Sequence, residues 1–113
     1  IAVFIEQMQK GEKLNIVNEG NQRRDFTYVG DVCNANILAA TTSNKFNGEV
    51  YNVGNGDNFS VNEVADMFGG EKEYGEKRIE PFETLADNKK IKSLGWKPTG
   101  NLSKWIKNYI KNV

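Results

Sequence analysis

GNQRRDFTYVGDV, residues 20–32, is the stretch around which the rest of the chain is organised. Two adjacent arginines, Arg23 and Arg24, follow a Gly-Asn turn and precede FTYV (26–29). The aromatic and β-branched residues of 26–29 predict a short strand. An arginine beside such a turn can hold an anionic group with its paired N–H donors. The same two side chains could instead serve a surface ion pair and a solvated face.

A helix is predicted to follow this stretch directly. Asp31 is of a residue type that caps helix N-termini, and residues 32–40 are rich in alanine and apolar side chains, so we expect this helix to be largely buried. Cys33 lies on it and is the only cysteine. A single cysteine excludes an intrachain disulfide and fits a reducing, cytoplasmic setting. With no base or metal partner in view, Cys33 is interpreted as a small buried hydrophobe.

Apolar periodicity and turn residues predict the remaining elements. Together with the helix at 32–40 they give a mixed α/β lobe of about five helices and a few short strands. The other predicted elements are an opening helix ended by Gly11, strands at 13–17 and 50–53, a helix with a capping box at Ser60 and Glu63 and ended by Gly69, an edge strand near Tyr74, a short helix containing Ile91 and Leu94, and a final helix striped by Leu102, Trp105, Ile106, Tyr109 and Ile110.

Length and composition exclude several classes of protein. From a length of 113 residues we expect one domain, and because the chain begins at Ile1 we expect it to be a processed or excised piece. The absence of histidine excludes a Ser-His-Asp triad and most zinc sites, and we expect no metal. No apolar run has membrane-spanning length and no signal peptide is present, so we expect no membrane partner.

The net charge of zero conceals an uneven distribution. Residues 89–113 carry seven lysines and no acid, a pattern that can mark a surface for nucleic acid or an acidic partner. These lysines alternate with the apolar stripe of the final helix, and no row of exposed aromatic residues accompanies them. We therefore expect these lysines to lie on the solvent-exposed side of a docked helix, and we expect no nucleic-acid partner. The less favoured alternative is a protein that binds nucleic acid or an acidic partner through these lysines.

Four stretches resemble, in order, parts of the NAD-dependent epimerase/dehydratase family. These extended short-chain dehydrogenases act on nucleotide sugars, and the resemblance is of the UDP-glucose 4-epimerase kind. The stretches are GNQRRDFTYVGDVCNAN (20–36), VYNVGNG (50–56), EPFETLAD (80–87) and LGWKP (94–98). The first is similar to the family's Gly-x-x-Gln-x-Arg-Asp-(Phe/Tyr)-x-(Tyr/His)-Val-x-Asp segment. The resemblance covers the whole chain and implies that residues 1–113 are a C-terminal nucleotide-sugar-binding lobe, without the N-terminal NAD-binding Rossmann half.

The resemblance also implies a set of binding residues. Arg24 would hold the nucleotide diphosphate, with Gln22 and Asn21 lining the same loop. Arg78 and Glu80 resemble the family's Arg-x-Gly-(Asp/Glu), with one residue deleted where the glycine stands. In the family that arginine helps to hold the diphosphate and the acid helps to hold ribose hydroxyls. The alternative for this second pair is two solvated charges in a loop.

The family's hydride-transfer chemistry needs residues that this sequence lacks. No tyrosine is followed four positions later by lysine, so the Tyr-x-x-x-Lys base pair is absent. The Gly54-Asn55-Gly56 turn fails as a dinucleotide fingerprint, because Phe59 stands where the third glycine should be. We therefore expect no catalytic residue, no bound cofactor and no activity in this chain alone.

What the resemblance implies for the intact enzyme is broader. NAD would be bound by the absent half, the ligand of this lobe would be a nucleotide-diphosphate sugar, and the intact enzyme would be a homodimer. The alternative is a stand-alone module that binds small anionic molecules without catalysis.

Overall fold

The computed structural model describes residues 1–113. It contains five α-helices and four short strands, which confirms the mixed α/β class. The elements are α1 (Ala2–Lys10), β1 (Leu14–Ile16), β2 (Arg23–Arg24), α2 (Val29–Thr41), β3 (Phe59–Ser60), α3 (Val61–Phe68), β4 (Lys72–Tyr74), α4 (Lys89–Lys92) and α5 (Leu102–Lys111), with a 3-10 turn at Asn18–Gly20. No helix combines the length and the apolar character that crossing a membrane requires.

The chain divides into two compact units, each assembled from separate segments. The first contains Ile1–Arg24, Phe59–Thr84 and Ser103–Val113, and the second contains Asp25–Asn58 and Leu85–Leu102.

The core of the first unit lies around a parallel pair of strands. β1 pairs with β4 in parallel, and Leu14 and Ile16 are completely buried on one face of β1, as their spacing predicts. Phe4 of α1 meets Phe68 of α3 edge to face, with ring centroids 5.8 Å apart. α1 ends, as predicted, at Gly11, whose φ of 68° is the left-handed conformation that favours glycine. Each fully buried large side chain contributes about 1.5–3 kcal/mol.

The predicted capping box at the start of α3 is present. The Ser60 Oγ accepts from the Glu63 N–H at 3.1 Å, and the Glu63 carboxylate accepts from the Ser60 N–H at 2.7 Å. The backbone hydrogen bond from Ser60, helped by Arg23 and opposed by partial burial, holds the pKa of Glu63 below its usual value. The capping box thus gives hydrogen-bond acceptors to two backbone N–H groups, those of Ser60 and Glu63, that have no partner within the helix.

Replacing Ser60 by alanine should lower the free energy of unfolding by about 1 kcal/mol, because the Glu63 N–H loses its acceptor. Urea denaturation followed by far-UV circular dichroism measures the change. The matched control is Ser43→Ala in an exposed loop, which should leave the urea midpoint unchanged. Equal midpoints for the two variants would contradict a stabilising role for the box.

The second unit is built around one small cluster. Ala35 of α2 packs with Ile91 of α4 and with Trp96, and partly buried neighbours complete the cluster: Leu38, Tyr51 and Val53. The indole Nε1 of Trp96 donates to the Asp31 carbonyl at 2.9 Å, so the buried ring is also fixed by a polar contact.

The prediction of a strand at 26–29 is wrong. The strand is the arginine pair itself, β2, which lies antiparallel to β3. α2 already begins at Val29, and its N-cap is Tyr28. A strand forms only where a neighbouring strand offers its backbone, and here that neighbour lies beside residues 23–24.

The predicted cap and burial of the second helix are also wrong. Asp31 lies inside the first turn of α2 and is buried, because its carboxylate binds a distant loop instead of the helix N-terminus. Only Asp31 and Ala35 of this helix are buried, and Cys33 is exposed. Alanine-rich apolar sequence favours a helix, but it does not determine how much of that helix is covered.

No strand forms at residues 50–53. Their alternation is nevertheless that of a strand: Val50 and Asn52 are exposed, whereas Tyr51 and Val53 are half-buried. The four strands of the chain pair among themselves in two two-stranded sheets, which leaves this segment without a partner. The predicted edge strand near Tyr74 is confirmed as β4. The predicted short helix is α4, which contains Ile91 but ends at Lys92, before Leu94.

Candidate functional site

The arginine pair is held from both sides by backbone hydrogen bonds. On one side β2 pairs with β3. On the other side the Arg23 N–H donates to the Phe82 carbonyl at 2.7 Å, and the Thr84 N–H donates to the Arg23 carbonyl at 3.1 Å. A two-residue strand would be too short to be stable alone. Because β2 is hydrogen-bonded on both edges, the backbone positions of Arg23 and Arg24 are fixed.

The two guanidinium groups have different acidic partners. Arg23 Nη1 lies 3.3 Å from Glu63 Oε2, and Arg24 Nη2 lies 3.5 Å from Glu80 Oε1. Because successive residues of a strand point to opposite faces, the pair serves two separate contacts. Arg23 reinforces the start of α3, whereas Arg24 is directed to the loop that carries Glu80.

Arg24 combines partial burial with unused donor capacity. Its side chain is 25% exposed and that of Glu80 is 30% exposed. Its Nη1 also donates to the Arg23 carbonyl at 2.7 Å. A guanidinium has five N–H donors, so these two contacts leave donors for an added anion. The contacts also restrict the side-chain rotamers, and restricting them in advance favours binding.

Gln22 lies behind this loop and not on its surface. The residue is 4% exposed, and its side-chain Nε2 donates to the Val17 carbonyl at 3.0 Å. Its backbone carbonyl accepts from the Val61 N–H at 3.1 Å. Its Oε1 is buried and has no hydrogen-bond partner. An unsatisfied buried acceptor costs about 1–3 kcal/mol. Gln22 therefore ties the turn to β2 at some cost in stability.

Asn21 ends an unusually conformed turn. Asn18 and Glu19 have φ of 52° and 62°, and Gly20 has φ of 75°. Asparagine tolerates this left-handed region better than most residues, so Asn18 can occupy this position of the turn. Asn62 Nδ2 donates to the Glu19 carbonyl at 2.9 Å and fixes the turn, while Asn21 remains exposed after it.

Arg78 forms its ion pair with Glu76, whereas Glu80 is paired with Arg24. Its Nε lies 3.6 Å from Glu76 Oε2, and its side chain is 63% exposed. Its backbone N–H donates to Asn18 Oδ1 at 2.6 Å. Of the predicted residues, the structure thus brings Arg24 and Glu80 into contact, buries Gln22, and leaves Asn21 and Arg78 exposed.

The second unit contains the glycine turn that superficially suits a dinucleotide phosphate. The N–H groups of Asn55 and Gly56 donate to the Asp25 carboxylate at 3.0 and 2.9 Å, and the Ala86 N–H donates to it at 3.1 Å. The donors that would cradle a phosphate are already bound to a carboxylate, whose charge would repel one. These residues do not fit the diphosphate of NAD, and Asp25 serves as a structural acid.

An open cleft of about 650 Å³ lies elsewhere in the first unit. It is lined by residues of both charge signs, among them Glu12, Lys13 and Glu73, and by none of the predicted binding residues. No group of three or more His, Cys, Asp or Glu side chains is placed to hold a metal ion.

The sequence is similar to one protein family and to several known proteins. Residues 1–54 match the NAD dependent epimerase/dehydratase family. A putative UDP-glucose 4-epimerase of Methanocaldococcus jannaschii is 42% identical over 122 residues, which is 99% of this chain and 39% of that protein. The low-salt glycan biosynthesis protein Agl12 of Haloferax volcanii is 33% identical over 106 residues, covering 87% of this chain and 34% of that protein.

Solved structures show the same relationship. UDP-glucuronic acid 4-epimerase from Bacillus cereus, in complex with NAD, superposes with a TM-score of 0.81 at 31% identity, covering 97% of this chain and 38% of its own. UDP-glucose 4-epimerase from Thermotoga maritima, solved with UDP-glucose, gives a TM-score of 0.79 at 34% identity, covering 98% and 38%. The chain thus spans about two-fifths of the length of these relatives. In sequence and in fold alike, the chain belongs to the NAD-dependent epimerase/dehydratase family.

Proposed function

We propose that residues 1–113 are the C-terminal, nucleotide-sugar-binding lobe of an NAD-dependent epimerase or dehydratase. The observation that carries the proposal is the partly buried Arg24, held by Glu80 and left with donors for an anion. Two of the similar structures are described as complexes with UDP-sugars, UDP-glucose in one and UDP-glucuronic acid in the other, which supports a ligand of this class.

Arg24 and Glu80 would bind different parts of the ligand. The guanidinium suits the diphosphate, because its paired N–H groups match two phosphate oxygens. A carboxylate cannot face the phosphates without repulsion, but it accepts well from ribose hydroxyls next to them. The 3.5 Å contact between the two side chains would hold both in place before the ligand arrives.

The other three residues would have supporting roles. Gln22 is buried and would position the loop through the Val17 carbonyl instead of touching the ligand. Asn21 is exposed beside β2 and is available for direct contact. Arg78, with most of its side chain in solvent, would add general positive potential and little specific binding.

The lobe itself would carry out no chemistry. It lacks the Tyr-x-x-x-Lys pair, and its glycine turn does not fit NAD, so hydride transfer would belong to a portion of the protein outside this chain. The lobe would contribute binding energy from the nucleotide, which positions the sugar for reaction elsewhere. We further expect the intact enzyme to be a homodimer, and the pure 113-residue chain to turn over no nucleotide sugar in the presence of NAD.

Replacing Arg24 by alanine in the intact protein should weaken UDP binding about 30- to 100-fold, which corresponds to the roughly 2–3 kcal/mol of a charged hydrogen-bonding pair. Isothermal titration calorimetry with UDP measures the change. Arg24→Lys should fall in between, because it keeps the charge but loses the two-pronged geometry.

Two further variants act as controls for Arg24. Lys107→Ala removes an exposed cation from α5 and should leave UDP affinity unchanged. Arg78→Ala should weaken binding less than about 3-fold, since an exposed charge contributes little. Unchanged UDP affinity in Arg24→Ala would remove Arg24 from the proposed role, and turnover by the pure 113-residue chain would refute the assignment of chemistry to another portion.

A further inference from the structure

The open cleft of the first unit is lined mainly by polar side chains that no other part of the proposed function uses. Its volume of about 650 Å³ lies within the range of about 300–1,000 Å³ that is common for small-molecule sites. Its polar lining includes Gln7, Glu12, Lys13, Asn15 and Glu73. None of these belongs to the proposed nucleotide-sugar site, so a ligand bound in the cleft would be additional to the nucleotide sugar.

The β1–β4 pair presents a carboxamide and a carboxylate next to each other. Asn15 and Glu73 are partners in the parallel register, and Leu14 and Ile16 are completely buried on the other face of β1. Because side chains alternate along a strand, Asn15 and Glu73 point away from the core. A Cβ atom on Gly75 would lie only 2.7 Å from Asn15 Oδ1, so the Asn15 amide lies directly against the Gly75 backbone.

The end of α1 adds a second carboxamide, that of Gln7. Its Oε1 accepts from the Asn15 N–H at 3.2 Å, which orients the amide and leaves the two N–H groups of Nε2 without a partner. The turn at Gly11 then leads back to β1, and the Glu12 N–H donates to the Gln7 carbonyl at 2.9 Å. The cleft therefore offers amide donors from both α1 and β1.

The charges of the cleft disfavour an anionic ligand. Glu12 and Glu73 form no ion pair, whereas the one lysine of the cleft, Lys13, is already paired with Glu71 at 3.3 Å. A phosphate or a carboxylate in the cleft would face two carboxylates that no basic group compensates, and like charges placed together are unfavourable.

The amide donors disfavour an ammonium ligand for a different reason. An ammonium group has only donors, so it leaves Gln7 Nε2 and Asn15 Nδ2 without acceptors. A hydroxyl group both donates and accepts, so one hydroxyl can accept from an amide while it donates to a carboxylate. Neighbouring hydroxyl groups on one ring are characteristic of saccharides. The pattern of donors and acceptors in the cleft therefore matches a neutral saccharide.

We propose that this cleft binds a neutral saccharide unit through Gln7, Asn15 and Glu73. The adjacent Asn15 carboxamide and Glu73 carboxylate would bind two neighbouring hydroxyls of one ring, and Gln7 Nε2 would donate to a third. Gln7 and Asn15 are restrained before a ligand arrives, which lowers the entropy cost of binding. Because the cleft is open and the contacts are few, we expect a Kd of about 1–10 mM.

Titration of the 113-residue chain with the methyl glycosides of glucose, galactose and mannose tests the proposal directly. Amide NMR spectra report the side-chain amides of Gln7 and Asn15 and the backbone N–H of Gly75 separately. We expect these signals to shift and to saturate at millimolar concentration with at least one of the three glycosides. The absence of any saturable shift up to about 100 mM glycoside would overturn the proposal.

Three variants test whether the cleft residues themselves bind the glycoside. Asn15→Ala should weaken binding about 5- to 10-fold, because it removes one or two hydrogen bonds. Gly75→Ala should also weaken it, since the added Cβ displaces the Asn15 amide, and the φ of Gly75 is not left-handed, so alanine fits the backbone. Asn108→Ala is the matched control, an exposed asparagine of α5 outside the cleft, and should leave the affinity unchanged. Equal affinities in Asn15→Ala and Asn108→Ala would overturn the proposal.

Two charged probes test the choice of ligand class. Spermidine and inorganic phosphate are titrated under the same conditions, and we expect neither to shift the Gln7 and Asn15 side-chain signals as strongly as the glycoside does. Stronger binding of spermidine in the cleft would overturn the proposal in favour of a cation site, and stronger binding of phosphate would overturn the charge argument. Neither titration requires UDP binding, so the result for the cleft is independent of the result for Arg24.

Discussion

Replacing Asp31 by alanine is expected to lower the free energy of unfolding by about 3–4 kcal/mol, a large fraction of the stability of a small domain. Asp31 is 1% exposed, and its two carboxylate oxygens accept three hydrogen bonds. The donors are the Thr99 N–H at 2.9 Å, the Thr99 hydroxyl at 2.7 Å and the Gly100 N–H at 2.9 Å. Alanine leaves all three donors without their acceptor, and urea denaturation at pH 7 measures the loss.

The same carboxylate predicts a pH dependence. Burial on its own would raise the pKa of Asp31, but the hydrogen bonds from the Thr99 hydroxyl and from the Gly100 and Thr99 N–H groups outweigh it, so the pKa lies below its usual value. Because the folded-state pKa is the lower one, the stabilisation is complete above about pH 4 and is lost as the pH falls through the folded-state pKa. The difference in stability between the parent and Asp31→Asn should therefore be largest near neutral pH and should shrink below about pH 4.

A control separates this network from general acid effects. Asp57→Asn changes an exposed acid in the same unit and should alter the unfolding free energy by less than about 1 kcal/mol at any pH. If Asp31→Asn kept a constant difference from the parent down to about pH 2, the stabilisation would come from the shape of the side chain and not from its charge.

Elements whose signals are local could be predicted from the sequence. The Gly11 and Gly69 helix ends depend on a few neighbouring residues, as does the Ser60–Glu63 capping box, and all three are present. The burial of Leu14 and Ile16 follows from strand alternation alone. Such features need no knowledge of what lies elsewhere in the chain.

The incorrect predictions share a dependence on distant partners. Asp31 is a suitable capping residue, but Thr99 and Gly100 provide better-placed donors nearly seventy positions later. Residues 50–53 have strand character without a neighbour to pair with, and α2 has apolar residues on two faces where one core uses only one. Propensity shows what a segment can form, whereas pairing and burial depend on what the rest of the protein supplies.

In the candidate site, too, the residues could be predicted from the sequence, whereas their contacts could not. The resemblance to the family's motifs indicated both Arg24 and Glu80 as binding residues, but the sequence could not show that their side chains lie 3.5 Å apart. It also could not show that Arg78 is paired with Glu76, two positions before it. Gln22 was expected to line the loop, and its burial became visible only with the hydrogen bond to the Val17 carbonyl.

Replacing Asp25 by alanine is expected to have the second large effect, a loss of about 3 kcal/mol. The carboxylate binds the N–H groups of Asn55, Gly56 and Ala86, residues that belong to two different loops of the second unit. For a domain of this size the loss should lower the Tm by roughly 12–20 °C in a thermal melt. Asp87→Ala is the matched control, since that exposed carboxylate accepts only from the Lys89 N–H and should cost less than about 1 kcal/mol.

The Asp25 variant also tests why the glycine turn does not fit NAD. Removing the carboxylate frees the Asn55 and Gly56 N–H groups and removes the charge that opposes a phosphate there. If Asp25→Ala lost little stability and gained affinity for inorganic phosphate, the turn would be a phosphate cradle held closed by Asp25. If it lost stability and gained no phosphate affinity, as we expect, the carboxylate is a structural tie between the two loops, and the chain's proposed capacity for phosphate rests on Arg24.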